Sequence, residues 1–168
     1  MFQHWDSYYL LLGSAAGALI GLLFVVATLS AGREVSTVTR GTKTYLTPTV
    51  FHFAMVMAVS ALATAPELPA LFVGPALGAC ALAGLVYSVS VCVRLSQGRL
   101  EGQHWSDFWY FGAAPGATYL GLSATAAAVW MAPPAVPYGA AFLMLVLMLL
   151  GIRNAWDLVT WLAPRQQR

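Results

Sequence analysis

The sequence predicts an all-α membrane protein, a single domain built as a bundle of five transmembrane helices. Its composition excludes an ordinary soluble domain, because 60% of the 168 residues are hydrophobic and only 8% are charged, against about 25% charged in soluble proteins. Five apolar runs are long enough to cross the hydrocarbon core, which takes about 20 residues in a helix. The basic residues lie in alternate connections between those runs, as expected for a chain that crosses a membrane repeatedly.

The first predicted span covers residues 8–30 and carries glycine at every fourth position, at Gly13, Gly17 and Gly21. On a helix these glycines form one strip of small residues, and helices in lipid pack closely over such strips. We therefore expect this strip to organise the bundle, with the other spans packed against the first helix. The segment before the span has no Lys or Arg, and the run is longer than the apolar part of a signal peptide. We expect the span to be retained.

Four further spans are predicted at residues 45–65, 70–95, 108–132 and 136–152. Proline-bearing turns join the second span to the third and the fourth to the fifth, which predicts two antiparallel helical hairpins. Pro115 lies inside the fourth span, where its missing backbone N–H is expected to bend the helix. Small residues recur in this span as well, including Ala117 and Gly121. We expect this second strip to pack against a helix of the same chain or of a second subunit.

The distribution of Lys and Arg predicts the orientation, since cytoplasmic connections carry an excess of positive charge. All eight basic residues fall in the first connection, in the third connection with its flanks, or in the C-terminal tail. The sequence therefore predicts an N-terminus outside and a C-terminus in the cytoplasm. The tail, residues 153–168, combines Trp and Leu with polar side chains, which predicts a short interfacial helix on the inner membrane surface. The helix of the fifth span can continue into this tail as far as Leu162.

The first span, WDSYYLLLGSAAGALIGLLFVVATLS, and the segment Asn154-Ala155-Trp156-Asp157-Leu158 resemble a family of small, uncharacterised bacterial proteins. Members of that family are five-helix integral membrane proteins with a first span rich in Gly and Ala and an Asn-Ala-Trp segment after the last span. The resemblance covers these two regions, and the middle of the chain matches only in layout. It implies a multi-pass protein of the bacterial inner membrane, and it supplies no activity or catalytic residue.

Ionisable side chains within a span are the usual mark of function in a membrane protein. His52, in the second span, is the candidate of this kind. A neutral histidine there can relay protons, ligate a metal or bond a hydroxyl on a neighbouring helix. Together with Tyr87, Tyr119 and Ser123, it is predicted to line a narrow polar path. In the competing interpretation, these polar groups only satisfy one another or their own helices.

The sequence offers little support for catalysis or for a bound metal. No nucleophile stands with a base, and no cluster of His and carboxylates appears, so we predict no catalytic residue and favour a protein that is not an enzyme. His52 and Cys92 could form a pair of metal ligands, but two ligands without the usual spacing are a weak signal. We predict no metal, no cofactor and no nucleic-acid partner. The expected partners are the lipid bilayer and either further copies of the chain or another membrane protein.

Two functional classes follow from these observations. The first is a homo-oligomeric channel or permease-like protein for a small ion or solute, with the four polar residues along its path. The second is a non-transporting scaffold or accessory subunit that binds another membrane protein through its small-residue helix faces. Changes at His52 and Tyr119 separate the two classes, because a pore would change its flux and a scaffold would be indifferent.

Overall fold

The computed structural model describes residues 1–2, 4–30, 46–97 and 105–162, and this part of the chain is helical and contains no β-strand. A helical turn, Trp105–Asp107, and a π-helical segment, Phe108–Ala113, lead into the fourth long helix. The predicted all-α fold class is confirmed. The five long helices are α1 (Asp6–Ser30), α2 (Thr47–Thr64), α3 (Ala70–Ser96), α4 (Ala114–Met131) and α5 (Val136–Leu162).

Helices long and apolar enough to cross a membrane make up most of the described chain. Their outer faces expose many Leu, Val and Phe side chains, as suits a surface in contact with lipid. The protein is therefore a helical membrane protein. The stretches of the described chain that are long and apolar enough to cross a membrane are Asp6–Leu29, Thr47–Thr64, Ala70–Ser96 and Pro133–Thr160. The predicted span at residues 108–132 is not among them, because α4 is rich in Ala, Gly, Ser and Thr and therefore has a lower hydropathy.

The helices pack as two antiparallel pairs, α1 along α2 and α3 along α4. The fifth helix joins these pairs, because it contacts α4, α2 and α1. Short turns connect α2 to α3 and α4 to α5, and the helices so connected do touch. The most extensive contacts, however, are between α1 and α2 and between α3 and α4. The order of the helices along the chain therefore does not by itself give the closest neighbours.

The first helix lies at the side of the bundle, where its main contacts are with α2 and α5. We expected the other spans to pack against it, and the arrangement differs because its glycine strip is close to a neighbour at one end only. A Cβ added at Gly13 would lie 2.9 Å from Ser60 Cβ, but one added at Gly17 would lie 3.9 Å from Met57 Sδ. Gly21 has no neighbour within 4 Å.

The closest helix packing is between α3 and α4, where glycines on both sides of the interface leave room for side chains opposite. Added Cβ atoms at Gly74, Gly84 and Gly112 would overlap their neighbours, whereas one at Gly116 would make an ordinary contact. The interface therefore depends on the absence of side chains at the first three positions. The resulting interdigitation holds α4 in one rotational position about its axis, which matters for the site described below. The pairs are Gly74 with Trp130, Gly84 with Tyr119, Gly112 with Cys92 and Gly116 with Ser88.

Two tyrosines near the start of α1 fasten the first helix to the last. The Tyr9 hydroxyl donates a hydrogen bond to the Pro137 carbonyl at 3.1 Å, and the Tyr8 hydroxyl donates one to the Ala141 carbonyl at 2.9 Å. Tyr9 has no exposed surface. A buried hydroxyl needs such a partner, because an unmade hydrogen bond in an apolar interior is costly. These two bonds therefore fix the N-terminal end of α1 against α5.

The last helix is continuous from Val136 to Leu162, and it corrects the prediction of a separate interfacial helix after residue 152. No Gly or Pro interrupts the helix after Gly151, and an ion pair of 3.0 Å between Arg153 and Asp157 supports it across one turn. Its 27 residues span about 40 Å at the usual helical rise, so the last turns extend past a hydrocarbon core of about 30 Å.

Six of the basic residues on which the predicted orientation depends lie outside the described residues: Arg33, Arg40, Lys43, Arg99, Arg165 and Arg168.

Candidate functional site

The only histidine of the described spans lies on the inward face of α2 and is completely buried. The same face carries Phe53, Val56 and Val59, at the three- and four-residue spacing that turns side chains toward a common core. His52 Nδ1 lies 2.9 Å from the hydroxyl of Tyr119 on α4, and Tyr119 is also fully buried. The two residues, both predicted as pathway candidates, are therefore joined by a hydrogen bond across the core.

Tyr119 is held in place by a glycine on the opposite helix. An added Cβ at Gly84 would overlap the Cδ1, Cε1 and Cζ atoms of the Tyr119 ring. The phenol therefore lies flat against the α3 backbone, and its hydroxyl reaches past α3 toward α2. A residue with a side chain at position 84 would push the ring away and separate Tyr119 from His52.

The backbone beside the histidine departs from α-helical geometry just before Pro115. Proline has no N–H, so the carbonyls of the preceding turn lack their usual donor within the helix. The segment Phe108–Ala113 adopts a π-helix, in which Ala114 N–H bonds to the Trp109 carbonyl. The backbone of Phe111 also interacts with the His52 ring. The proline thus leaves backbone groups of α4 free to meet polar side chains from other helices.

Asn154 on α5 bonds to one of the backbone carbonyls that precede Pro115. Its Nδ2 atom donates a hydrogen bond of 2.9 Å to the Tyr110 carbonyl, and the Asn154 side chain has no exposed surface. The Arg153 guanidinium lies 3.4 Å from the centre of the Tyr110 ring, in a cation–π contact. Asn154 was predicted to lie in the tail and was not among the predicted site residues. Its spacing from Leu147, Gly151 and Leu158 on the buried face of α5 is the pattern that could have identified it.

Tyr87 lies between the buried pair and the end of the bundle at which α3 ends. Its ring stacks on Phe51 with the centroids 4.2 Å apart, and its centroid lies 6.3 Å from that of His52. On its other side, the guanidinium of Arg94 lies 5.9 Å from the Tyr87 centroid. Tyr87 is half-buried and Arg94 is exposed. The Tyr87 ring therefore lies between the exposed guanidinium and the buried histidine, in ring contact with the histidine.

Ser123, the fourth predicted pathway residue, points its hydroxyl to its own helix. The hydroxyl donates a 3.0 Å hydrogen bond to the Tyr119 carbonyl. Thr118 and Thr125 do the same, each with the carbonyl four residues earlier at 3.0 Å. This is the usual arrangement of Ser and Thr inside helices. Ser123 therefore lies next to the buried pair along the chain but does not extend its hydrogen bonding.

Unpaired polar atoms gather around the start of α4. Among the described residues, the buried side-chain atoms with no hydrogen bond of standard geometry are His52 Nε2, Ser60 Oγ, Ser88 Oγ and Asn154 Oδ1. Three of these four belong to residues that contact the stretch from Tyr110 to Tyr119. Buried polar groups in native proteins are almost always paired with protein groups or with ordered water, and the His52 ring also interacts with the Phe111 backbone. These atoms therefore mark where polar groups from several helices meet around the start of α4.

The predicted helix-packing residues lie in different surroundings. Gly121 packs against α5, where an added Cβ would lie 2.8 Å from Leu143 Cδ2, whereas Ala117 is exposed on the outer face of α4. Gly13 faces α2, and Gly21 is open. Within the described ranges no group of three or more His, Cys, Asp and Glu side chains could hold a metal ion. Cys92, considered as a second ligand for His52, packs against Gly112.

Comparison of the chain with protein-family models, curated proteins and solved structures finds no match. The resemblance to bacterial five-helix membrane proteins remains a prediction. The geometry of the polar residues around His52 is therefore the basis for the proposed function.

Proposed function

We propose that this protein is a homo-oligomeric channel or permease-like protein that moves a small ion or solute across the bacterial inner membrane. The observation that supports this most is the hydrogen bond between His52 and Tyr119 in the middle of the bundle. An ionisable side chain inside a membrane is expensive to bury, and where it occurs it usually serves transport, proton transfer or ligand binding. Tyr87 and Arg94 extend the polar groups from this pair toward one end of the bundle.

The proposed topology has five spans, with the N-terminus outside and the C-terminus in the cytoplasm. Arg94 and Arg153 lie near the C-terminal ends of α3 and α5, which the antiparallel packing brings to the same side of the bundle. The predicted positions of the other basic residues, in the first and third connections and the tail, agree with this side being cytoplasmic. In this arrangement α4 crosses the membrane despite its lower hydropathy, because α3 and α5 cover much of its surface.

His52 and Tyr119 have no exposed surface, so the described conformation is closed at this point. Transport then requires a movement that opens α4 from α2, or an ion small enough to pass by transfer between side chains. Five helices of this size leave little room for a central pore, which is why we place the proposed activity in an assembly of several copies.

A second candidate function is a scaffold that binds another membrane protein. It is supported by the part of the α1 strip that faces outward, since Gly21 has no neighbour within 4 Å and Ser14 and Ala18 are exposed. Small residues on an open helix face allow the close approach of a further helix. On this reading the buried histidine pair would stabilise the fold and have no part in the activity.

The deciding experiment combines particle mass with flux. The protein-only mass in detergent, with the detergent subtracted, should be a discrete multiple of 17.9 kDa. Reconstituted vesicles should then show ion or solute flux that Tyr119→Phe reduces. The matched control is Tyr9→Phe, which removes a hydroxyl from an equally buried tyrosine at the outer end of α1. A monomeric particle with no flux above empty vesicles would refute the transport proposal and favour the scaffold.

A further inference from the structure

We infer that the bundle opens by a hinge movement between two rigid units, and that His52 and Asn154 hold the moving end closed. One unit consists of α1, α2 and α5, and the other consists of α3, α4 and the π-helical segment Phe108–Ala113. The inference rests on the proposed transport function, for which it names the moving parts. It is supported by three observations: close packing within each unit, the position of the turns between the units, and the position of the polar bonds between them.

The unit of α3 and α4 is rigid because side chains of one helix fill spaces over glycines of the other. The ring of Tyr119 fills the space over Gly84, and Cys92 fills the space over Gly112. The second of these contacts includes the π-helical segment in the unit. Interfaces packed in this way transmit movement as a body, because the helices cannot slide past one another without displacing these side chains.

The unit of α1, α2 and α5 is joined by similar packing and by two hydrogen bonds. A Cβ added at Gly151 on α5 would lie 2.6 Å from Cε1 of Phe53 on α2, so the Phe53 ring fills the space over this glycine. The first helix is attached by the hydroxyls of Tyr8 and Tyr9, which donate to α5 carbonyls at 2.9 Å and 3.1 Å. These contacts make α1, α2 and α5 a second body.

The chain passes between the two units twice, each time through a short turn at the same end of the bundle. Residues 65–69 lead from α2 to α3, and residues 132–135 lead from α4 to α5. The units also pack closely near these turns, since a Cβ added at Gly139 would lie 3.0 Å from Thr125 Oγ1. This end of the bundle, which we call the turn end, therefore supplies the hinge.

Toward the opposite end, polar side chains of one unit bond to the other. Asn154 Nδ2 donates a hydrogen bond of 2.9 Å to the Tyr110 carbonyl, and His52 Nδ1 lies 2.9 Å from the Tyr119 hydroxyl. The Phe111 backbone also bonds to the His52 ring. Because α2 and α4 pack little against each other, the bonds of His52 are what joins these two helices.

The backbone carbonyls that precede Pro115 explain why polar side chains are needed here. Pro115 has no N–H, so it donates neither to the Phe111 carbonyl, as an α-helix requires, nor to the Tyr110 carbonyl, as a π-helix requires. His52 and Asn154 approach the two residues from the other unit. Bonds of this kind are exchanged for bonds to water at small net cost, so they favour the closed conformation without making it permanent.

The aromatic contact between α2 and α3 toward the same end is flat. The rings of Phe51 and Tyr87 stack with their centroids 4.2 Å apart and their planes inclined by 25°. Stacked rings can separate along their faces, in contrast to the Tyr119 ring, which is enclosed over Gly84. Movement at this end separates Tyr119 from His52 and opens the interior in which both are buried.

The test measures distances between paired spin labels by double electron–electron resonance, on the full chain in vesicles. Both native cysteines are first replaced by alanine, and a label is then attached at each of two exposed positions, one on each unit. The opposite-end pair is Val93 on α3 with Thr160 on α5, and the turn-end pair is Leu71 on α3 with Phe142 on α5.

The informative variant combines His52→Phe with Asn154→Leu, which keep side-chain bulk and remove the bonds between the units. The Tyr110 and Phe111 carbonyls then lack these partners in the closed conformation, which favours opening. We expect the opposite-end pair to show a second distance, longer by more than about 2 Å, and the turn-end pair to match wild type. The control Tyr9→Phe removes a bond within one unit and should leave both distances unchanged.

An opposite-end distance that stays single and unchanged in the folded double variant overturns the inference. Longer distances at both ends overturn it as well, because they show a general loosening and no hinge. Should the double variant fail to fold, His52→Gln and Asn154→Leu are measured singly, and a distance that neither of them changes has the same meaning.

Flux through the same vesicles separates the hinge from the proposed function. Opening at one end without flux of any ion or solute would support the hinge and refute transport. Flux that proceeds while both distances stay fixed in every variant would support transport and refute the hinge.

Discussion

The Tyr119 ring fills the space that a methyl group on Gly84 would need. A Cβ at position 84 would overlap three atoms of the Tyr119 ring, so the ring lies directly on the backbone of α3. That contact determines where the Tyr119 hydroxyl points, and the hydroxyl is the partner of His52 Nδ1 at 2.9 Å. A glycine with no chemistry of its own thereby positions the tyrosine that bonds to His52.

Gly84→Ala should destabilise the bundle by about 1–3 kcal/mol, because the added methyl must displace a ring with no free space around it. Unfolding in a detergent titration measures this loss. The matched control is Gly21→Ala, at a helical position with no neighbour within 4 Å, where the change should be neutral or stabilise by about 0.5–1 kcal/mol. Equal effects of the two substitutions would show that the contact with Tyr119 does not exist.

Asn154→Ala should cost about 1–3 kcal/mol, because it leaves the Tyr110 carbonyl without the donor that the structure provides. Thr160→Ala serves as control on the same helix, since the Thr160 hydroxyl is exposed and bonds only to its own helix. That variant should stay within about 0.5 kcal/mol of wild type. Thermal unfolding followed by circular dichroism compares them, and a loss of similar size in both would contradict the assigned role of Asn154.

Pro115→Ala should make Asn154 less necessary. Alanine restores an N–H at the position where proline leaves carbonyls of the preceding turn without a helical donor. Asn154→Ala should therefore cost less in the Pro115→Ala background than in wild type, with a coupling energy of about 0.5–3 kcal/mol. A double-mutant cycle of unfolding free energies measures this coupling. Simply additive losses would mean that Asn154 does not compensate for the proline.

Gly13→Leu should lower stability and Gly21→Leu should lower particle mass, although the two glycines belong to one strip. A leucine at position 13 would collide with Ser60 and loosen α1 from α2, so stability should fall. A leucine at position 21 meets no neighbour among the described residues, so the fold should be unchanged. On the proposal that copies of the chain meet at this open end of the strip, its bulk should keep them apart and lower the particle mass toward 17.9 kDa. Light scattering in detergent gives the mass. An unchanged mass in Gly21→Leu would exclude this end of the strip as a contact between copies.

The positions of the helices could be predicted from the sequence because they depend on properties of single segments. The length of an apolar run and the prolines and polar residues at its ends place the first three helices within a few residues of the observed bounds. The sequence allows the helix of the fifth span to continue to Leu162, and α5 does so. Residue 152, the predicted end of the span, marks the change from apolar to polar residues and not the end of the helix. A helix does not end where its hydropathy falls unless a breaking residue stands there, and none does.

The choice of neighbours could not be predicted in the same way. Small residues occur on α1, α3 and α4, and a small residue says that a helix can approach without saying which one. The closest interface formed between α3 and α4, where glycines face bulky side chains such as Tyr119 and Trp130. His52 and Tyr119 were both singled out as polar residues, but their pairing depends on how α2 and α4 are placed by the helices between them, since these two helices pack little against each other.

The hydrogen bonds from Tyr8 and Tyr9 to the carbonyls of α5 also bear on how the protein is made. Pro137 follows Tyr9 by 128 residues, so α1 is synthesised well before the part of α5 to which it bonds. The pairs α1–α2 and α3–α4 can assemble as their helices are inserted, but α1 cannot be fastened to α5 until α5 has followed. Closure of the bundle at this contact is therefore expected to be a late step of its assembly.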